Sequence, residues 1–172
     1  IPNDRARLDA VELVPFRAAL PFAAGTMVAH IALPAVDQAA DVSTFSNVVI
    51  NDLLRDEMGF DGLVYSDSMR MDAIAQMAGP GEAAVRAVLA GIDVVLDSPD
   101  QVAAFEGLRA AVASGRIPPA RIDASVRRIL AAKARMGLHR TRTVNLESVA
   151  LGVGGRAHES VVRDVAERAI TL

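Results

Sequence analysis

The 172-residue sequence contains no cysteine, no tryptophan and only one lysine, Lys133. The absence of cysteine excludes disulfide bonds, thiolate catalysis and zinc or iron–sulfur sites with cysteine ligands. Aromatic residues are also scarce, at 3%, whereas hydrophobic residues as a whole make up 52% of the chain. A core built from alanine, valine and leucine favours helices packed on parallel strands over an aromatic-rich β-sandwich.

Several patterns that would point to other functions are missing as well. The net charge is −3 with both signs mixed along the chain, and because there is no basic stripe we predict no nucleic-acid partner. No apolar run reaches the roughly 20 residues of a membrane span, and no signal-peptide pattern begins at Ile1. Glycine-rich phosphate loops are lacking and the three histidines do not have metal-ligand spacing, so we predict neither a cofactor nor a metal.

The sequence does contain an alternation of short apolar runs and helical patterns. The runs with strand character cover residues 26–31, 63–66 and 94–96. The predicted helices cover residues 5–20, 46–58, 71–90 with a break at 79–81, 100–114, and 118–136. Three strand–helix units of this kind fit either half of a (β/α)₈ barrel or a small doubly wound sheet.

The last part of the chain differs in composition. In residues 139–157 the composition turns to threonine, asparagine and glycine, which predicts a linker. Residues 158–172 return to a helical pattern without a closing signal. We therefore expect a piece of a longer protein, with a strand–helix domain over residues 1–138, a linker over 139–157 and the first helix of a second domain over 158–172.

Three residues near predicted strand ends are candidates for a site. Asp67 ends the second strand at a strand-to-helix corner, where a carboxylate can be a nucleophile, a base, a metal ligand or simply the cap of the next helix. His30 ends the first strand, and it either belongs to the same site or donates to a backbone carbonyl in packed surroundings. Met71 follows the Asp67 corner, where it either fills the core or lines a pocket.

Residues 60–71, Phe-Asp-Gly-Leu-Val-Tyr-Ser-Asp-Ser-Met-Arg-Met, resemble the signature of glycoside hydrolase family 3. In that family a strand ends in Ser-Asp, and the aspartate is the catalytic nucleophile. Further similar segments lie in family order at residues 14–19, 27–31, 53–60, 90–96, 121–130 and 166–172. The resemblance implies an α/β fold comprising the last three strand–helix units of a (β/α)₈ TIM-like barrel, followed by the linker and the start of a second domain. It also implies that Asp67 is the nucleophile.

Two short segments resemble the β-N-acetylglucosaminidase branch of the family, namely residues 27–30 and 66–71. The β-glucosidase branch more typically has tryptophan after the nucleophile and Tyr-Asn near the position of His30. The resemblance implies that His30 and Met71 line the sugar subsite, and that the substrates are terminal N-acetyl-β-D-glucosaminides from cell-wall sugars. A β-glucosidase or β-xylosidase of the same family, a phosphorylase, and a non-catalytic sugar-binding relative remain alternatives.

A retaining glycosidase needs an ionised nucleophile and a separate acid/base, about 5–5.5 Å apart when both are carboxylates. Asp67 would supply the nucleophile. The resemblance puts the acid/base outside these residues, either in an upstream His–Asp dyad or in a glutamate of the second domain. We predict that the candidate glutamates inside the chain lie on helix surfaces: Glu57, Glu82, Glu106 and Glu167.

The partners that the resemblance implies are a carbohydrate substrate, the remainder of the barrel and a C-terminal domain. The 172 residues alone are expected to be inactive, because they carry only half of the catalytic pair. The compartment stays open between the bacterial cytoplasm and the extracytoplasmic cell envelope.

Overall fold

The computed structural model describes residues 1–39 and 42–170, and the chain divides into two compact units, Ile1–Ala132 and Lys133–Leu172. The strands of the first unit are β1 (Gly25–Val28) and β2 (Leu63–Ser66). Its helices are α1 (Arg5–Arg7), α2 (Val14–Ala19), α3 (Asp72–Ala75), α4 (Pro80–Ala90), α5 (Gln101–Ala113) and α6 (Pro119–Arg135), the last three residues of which fall in the second unit. Two π-helical segments, Leu8–Glu12 and Val48–Glu57, complete the main elements of this unit.

The two strands form a parallel sheet in which Gly25 lies opposite Leu63 and Val28 lies opposite Ser66. Strand β1 is shorter than predicted, because the Ile31 carbonyl accepts hydrogen bonds from Ser43 instead of continuing the sheet. The mixed pattern of strands and helices confirms the predicted α/β class.

The third predicted strand, residues 94–96, does not form a continuous strand. Val94 makes one isolated parallel bridge to Tyr65. Farther along, the Leu96 N–H donates to the Ser66 hydroxyl, at 2.8 Å, and not to a backbone carbonyl. A side chain thus replaces one ladder bond, which keeps the segment beside β2 without regular strand pairing.

The core of the first unit lies between the sheet and the helices that follow its strands. Strand β2 is the central element, with Leu63, Val64 and Ser66 buried, as expected of a parallel strand covered on both faces. The side chains packed in the main cluster are Leu20, Val28, Val42, Ile50, Phe60, Val64, Met69, Ile74, Ala83, Ala87, Ala90 and Ile92. Aliphatic side chains therefore make up most of this core, and Phe60 is its one aromatic member in the described part of the chain, in line with the composition.

The N-terminal segment is not the single helix predicted over residues 5–20. Asp4 caps α1 by accepting the Arg7 N–H at 2.7 Å. The chain then passes through a π-helical segment, helix α2 and a 3₁₀ turn at Leu20–Phe22. Pro15 and Pro21 each lie in the first turn of a new segment, because proline has no N–H to donate to a preceding helical turn.

The other predicted helices agree more closely with the structure. The Ser46 hydroxyl accepts the Val49 N–H at 3.0 Å, just where the segment Val48–Glu57 begins. The predicted break is present but lies earlier, over residues 76–79, because α3 ends at Ala75 and α4 already begins at Pro80. Asp100 caps α5 through the Ala103 N–H, and Gly115 follows with a φ of +76°, the left-handed conformation that glycine favours at helix ends.

Helices α4 and α5 pack through a pair of glycines. A Cβ added to Gly107 would lie 2.7 Å from the Gly81 Cα, closer than real side chains approach. The absence of both side chains therefore allows the two backbones to touch.

The second unit is helical in its described part. Helix α7 (Leu146–Gly152) lies inside residues 139–157, where the composition predicts a linker. Helix α8 (Arg156–Ala169) begins slightly before the predicted start at residue 158. Thr171 and Leu172, the end of the predicted helix, lie outside the described residues. No helix in the described ranges is both long and apolar enough to cross a membrane.

Candidate active site

Three segments of the first unit reach the same edge of the fold in parallel. Strand β1 leads to His30, β2 leads to Asp67, and residues 94–96 lead to Asp97. Because the C-terminal ends of parallel strands meet at one edge, these three side chains share it. In α/β folds this edge is where catalytic and binding groups are usually found.

Asp67 is half-buried and held by backbone on two sides. Its N–H donates to the Val28 carbonyl at 3.1 Å, which ties it to the end of β1. Its Oδ1 accepts the Ser68 N–H at 2.7 Å, and within the described part of the chain its Oδ2 accepts no hydrogen bond. Met71, not Asp67, occupies the N-cap position of α3. The capping interpretation of Asp67 is therefore wrong, and its carboxylate is left to face the edge of the sheet.

The residue before it has a separate structural task. Ser66 is completely buried, and its hydroxyl accepts the Leu96 N–H. Its own N–H donates to the Val94 carbonyl at 3.0 Å. Ser66 thus holds residues 94–96 beside β2, while Asp67 presents the half-buried carboxylate.

Ser68, which the sequence analysis did not single out, connects the groups at this edge. Its N–H binds Asp67, and its carbonyl accepts His30 Nε2 at 3.0 Å. Its hydroxyl donates to Asp97 Oδ2 at 2.8 Å and accepts the Arg70 N–H at 3.3 Å. The turn after the candidate nucleophile is therefore fixed from both sides.

His30 is buried and uses both ring nitrogens. A carbonyl can only accept, so Nε2 carries a proton and donates to Ser68. The other ring nitrogen, Nδ1, lies 2.6 Å from the Thr44 hydroxyl and shares a second hydrogen bond with it. The bond to a backbone carbonyl is one of the two alternatives for His30, and the carbonyl concerned belongs to the turn that follows Asp67.

The methionines near the turn differ in exposure. Met69 is 2% exposed and belongs to the core, whereas Met71 is 45% exposed. The interpretation of Met71 as a core filler is therefore wrong. Its N–H donates to the Ser68 carbonyl at 3.2 Å, so it lies directly beside the same turn.

Asp97 is the second feature that sequence reasoning missed. Its φ of +50° is the only positive φ of a non-glycine residue in the described ranges, and aspartate is among the few side chains that tolerate it. Oδ1 accepts Arg70 Nε at 2.9 Å. The hydrogen bond from Arg70 and, to a smaller extent, the one from Ser68 hold the pKa of the Asp97 carboxyl below its usual range. The strand-end rule that identified Asp67 also applies to Asp97.

A buried charge network centred on Asp93 contacts the backbone of β2 at Val64. The Asp93 side chain is fully buried, and its Oδ2 accepts the Val64 N–H at 3.1 Å and Arg55 Nη2 at 2.7 Å. Its Oδ1 accepts the Ser125 hydroxyl and Arg128 Nη1, the latter at 3.3 Å. Desolvation lowers the pKa of Arg55, although the Asp93 charge opposes that shift. The network joins β2 to α6 and to the segment Val48–Glu57.

The four glutamates considered as candidates lie on surfaces, as predicted: Glu57, Glu82, Glu106 and Glu167 are exposed. Hydrogen bonds from Arg5 and then Arg17 lower the pKa of Glu57, and a hydrogen bond from Arg116 lowers that of Glu82. A general acid at neutral pH requires a shift in the other direction. Neither carboxyl is therefore suited to protonate a leaving group.

An open apolar cavity of about 210 Å³ lies beside β1, away from Asp67. Its walls include Leu8, Phe16, Met27 and Leu54. A lining with so few polar groups does not match the hydroxyl-rich surface of a sugar. Within the described residues, no cluster of three or more histidine or carboxylate side chains could hold a metal ion.

The chain resembles solved glycosidases in fold. A family 3 β-N-acetylglucosaminidase from Paenibacillus sp. str. FPU-7 superposes with a TM-score of 0.79 at 45% identity, over 85% of this chain and 28% of that one. A β-glucoside phosphorylase bound to 2FGlc superposes with a TM-score of 0.88 over 99% of this chain and 32% of that one. At 22% identity, the second likeness shows the fold alone.

The sequence comparisons agree with that likeness. A β-N-acetylglucosaminidase/β-glucosidase from Cellulomonas fimi is 39% identical over 169 residues, which cover 92% of this chain and 30% of the relative. The chain therefore spans less than a third of that relative. The family model of the glycosyl hydrolase family 3 N-terminal domain matches residues 1–132, and this chain belongs to glycoside hydrolase family 3.

Proposed function

We propose that the full-length protein hydrolyses terminal β-glycosidic bonds with retention of configuration, and that Asp67 is its nucleophile. The observation that supports this most is the Asp67 carboxylate at the end of β2, with Oδ1 held by the Ser68 N–H and Oδ2 without a hydrogen bond in the described chain. A fixed, half-buried carboxylate with one oxygen available suits attack on an anomeric carbon.

In the first step an Asp67 oxygen forms a bond to the anomeric carbon while the bond from that carbon to the aglycone oxygen breaks. The leaving oxygen takes a proton from the acid/base. Water, deprotonated by the same group, then attacks the glycosyl ester and releases Asp67 as a carboxylate. Two inversions at one carbon give overall retention.

We place the acid/base outside these residues, in an upstream His–Asp dyad or in a glutamate of a second domain. The exposed glutamates Glu57 and Glu82 are poor candidates, because their lowered pKa values keep both carboxyls ionised and unable to donate a proton at neutral pH. The chain corresponds to less than a third of each of these two relatives, so a further catalytic group can lie in the part of the protein that these residues do not cover.

The proposed substrates are N-acetyl-β-D-glucosaminides from cell-wall sugars. Support comes from the names of the relatives from Cellulomonas fimi and Paenibacillus, both of which include β-N-acetylglucosaminidase. We propose that His30 and Met71 line the sugar subsite, since His30 lies under the Ser68 turn and Met71 is exposed beside it.

At the level of architecture, we propose that residues 1–138 supply the last three strand–helix units of a (β/α)₈ barrel. Residues 139–157 would link this barrel to a second domain that begins at residue 158. The parallel arrangement of β1, β2 and residues 94–96 supports a barrel.

Activity on β-D-glucosides is the second candidate function, because the name of the Cellulomonas fimi relative includes it. The test compares kcat/KM of the full-length protein on 4-nitrophenyl N-acetyl-β-D-glucosaminide and β-D-glucoside, with the product anomer followed by NMR. We expect the N-acetylglucosaminide to react faster and the first product to be the β-anomer. Faster glucoside turnover would overturn the substrate assignment, and an α-anomer would overturn the mechanism.

A further inference from the structure

We propose that Asp97 is a positioning residue for Asp67, acting through the Ser68 turn. The inference rests on the proposed function, because it concerns how the nucleophile of that reaction is held. Asp97 reaches Asp67 only through Ser68, whose hydroxyl donates to Asp97 and whose N–H donates to Asp67 Oδ1.

The connection runs through short, consecutive contacts. The hydroxyl contact of Ser68 to Asp97 measures 2.8 Å, and its N–H contact to Asp67 measures 2.7 Å. On the other side, His30 donates to the Ser68 carbonyl at 3.0 Å. Ser68 thus has one anchor on each flank of β2, and Asp97 is the anchor on the flank of residues 94–96.

The backbone of Asp97 has a left-handed conformation. Its φ of +50° lies in a region that aspartate tolerates better than most other non-glycine residues. Arg70 Nε holds Oδ1 at 2.9 Å and leaves Oδ2 to Ser68. The low pKa of Asp97 keeps it an anionic acceptor at neutral pH.

The function of this anchor is to limit motion of the nucleophile. Only the Ser68 N–H orients the Asp67 carboxylate by a hydrogen bond in the described chain. If Ser68 loses its hydroxyl partner, the turn can rotate and the attacking oxygen moves. Misplacement of a reacting group by about 1 Å can cost about a hundredfold in rate.

The test uses four variants of the full-length protein and one control variant. Asp97→Ala removes the acceptor, and Asp97→Gly removes it while also releasing the backbone constraint. Asp97→Asn keeps an acceptor oxygen and tolerates the left-handed conformation. Ser68→Ala removes the donor without touching Asp97. Glu106→Gln is the matched control, because it neutralises another exposed carboxylate that pairs with an arginine, Arg109.

We measure kcat, KM and the rate at which a 5-fluoro sugar labels Asp67. We expect Asp97→Ala, Asp97→Gly and Ser68→Ala to lower kcat and the labelling rate about 10–100-fold with KM changed less than about threefold. We expect Asp97→Asn to stay within about threefold of wild type, since its single amide oxygen can accept the Ser68 hydroxyl while the exposed Arg70 side chain turns to solvent.

Three results would overturn the proposal. They are wild-type labelling rates in Asp97→Ala or Ser68→Ala, a loss in Asp97→Asn equal to that in Asp97→Ala, and an equal loss in Glu106→Gln. If Asp97→Ala does not fold, Ser68→Ala and Asp97→Gly decide by the same criteria. The proposed function fails in a different way, by an absence of label on Asp67 in the wild-type protein.

Discussion

Neighbouring residues at the end of β2 have different roles, one structural and one proposed to be catalytic. Ser66 is fully buried and holds residues 94–96, whereas Asp67 presents a half-buried carboxylate. Ser68 then links that carboxylate to His30 and Asp97. The sequence was sufficient to predict the strand and its terminal carboxylate, because an apolar run followed by Ser-Asp is a local pattern.

The roles of Ser68 and Asp97 could not be predicted in the same way. Their contact joins residues that are 29 positions apart, and it depends on a positive φ at an aspartate. Asp-Ser-Pro predicts a turn, but local preference does not reveal which side chain the turn will meet. Long-range polar contacts of this kind arise from tertiary packing.

Replacement of the candidate nucleophile is the first prediction. In the full-length protein, Asp67→Asn should lower kcat about a thousandfold or more, because the amide cannot form the glycosyl ester. Asp123→Asn, at an exposed position of α6, is the matched control and should leave kcat unchanged. Steady-state kinetics with circular dichroism checks both activity and folding. Retention of more than about a tenth of wild-type kcat in Asp67→Asn would contradict the nucleophile assignment.

The buried network gives the second prediction. Asp93→Asn should reduce the free energy of unfolding by about 3–5 kcal/mol, since it leaves the surrounding arginines without their buried counter-charge. Asp61→Asn is the control, because Asp61 is 98% exposed and lies 3.6 Å from Arg128 of the same network. Chemical denaturation of the full-length variants provides the comparison. Equal unfolding free energies in the two variants would show that Asp93 is not a structural anchor.

At the scale of elements, capping side chains and prolines determine where several helical segments begin. Asp4, Ser46 and Asp100 each accept a backbone N–H at the start of a helical segment, a role that aspartate and serine favour. The hydrophobic periodicity of residues 5–20 predicts one helix, but Pro15 and Pro21 divide this region into separate segments. The prediction of a third strand at residues 94–96 was wrong for a different reason. The Leu96 N–H donates to the Ser66 hydroxyl and not to a backbone carbonyl.

Contact between α4 and α5 gives the third prediction. Gly107→Ala should destabilise the full-length protein by about 1–3 kcal/mol, because the added methyl group forces the two helices apart. The added Cβ would lie 2.7 Å from the Gly81 Cα. Gly152→Ala is the control, since nothing lies within 4 Å of a Cβ added there. Melting temperatures of both variants report the difference, and equal values would contradict a tight glycine contact.

At the scale of the molecule, the first unit exposes groups that usually have partners. Strand β1 pairs with β2 along one edge only in the described chain. Phe22 is 89% exposed, and Phe16 and Met27 are each about half exposed. Open strand edges and apolar surface promote association.

The fourth prediction concerns the 172 residues expressed alone. They should self-associate, because the free edge of β1 and the apolar surface beside it have no partner in the described chain. They should also show no glycosidase activity, because the proposed acid/base lies outside them. Light scattering over a concentration series and hydrolysis of a chromogenic N-acetylglucosaminide measure the two properties. A stable monomer that hydrolyses this substrate would contradict both parts of the account.

The most direct test of the central claim is to trap the covalent intermediate on the full-length protein. A 5-fluoro N-acetylglucosaminyl fluoride forms the glycosyl ester faster than the ester hydrolyses, so the adduct accumulates. Trypsin releases the peptide of residues 56–70, which holds Asp67 together with Asp56, Glu57 and Asp61. We predict that tandem mass spectrometry locates the sugar on Asp67. A label on any other carboxylate, or no label in a protein that turns over its substrate, would contradict the account.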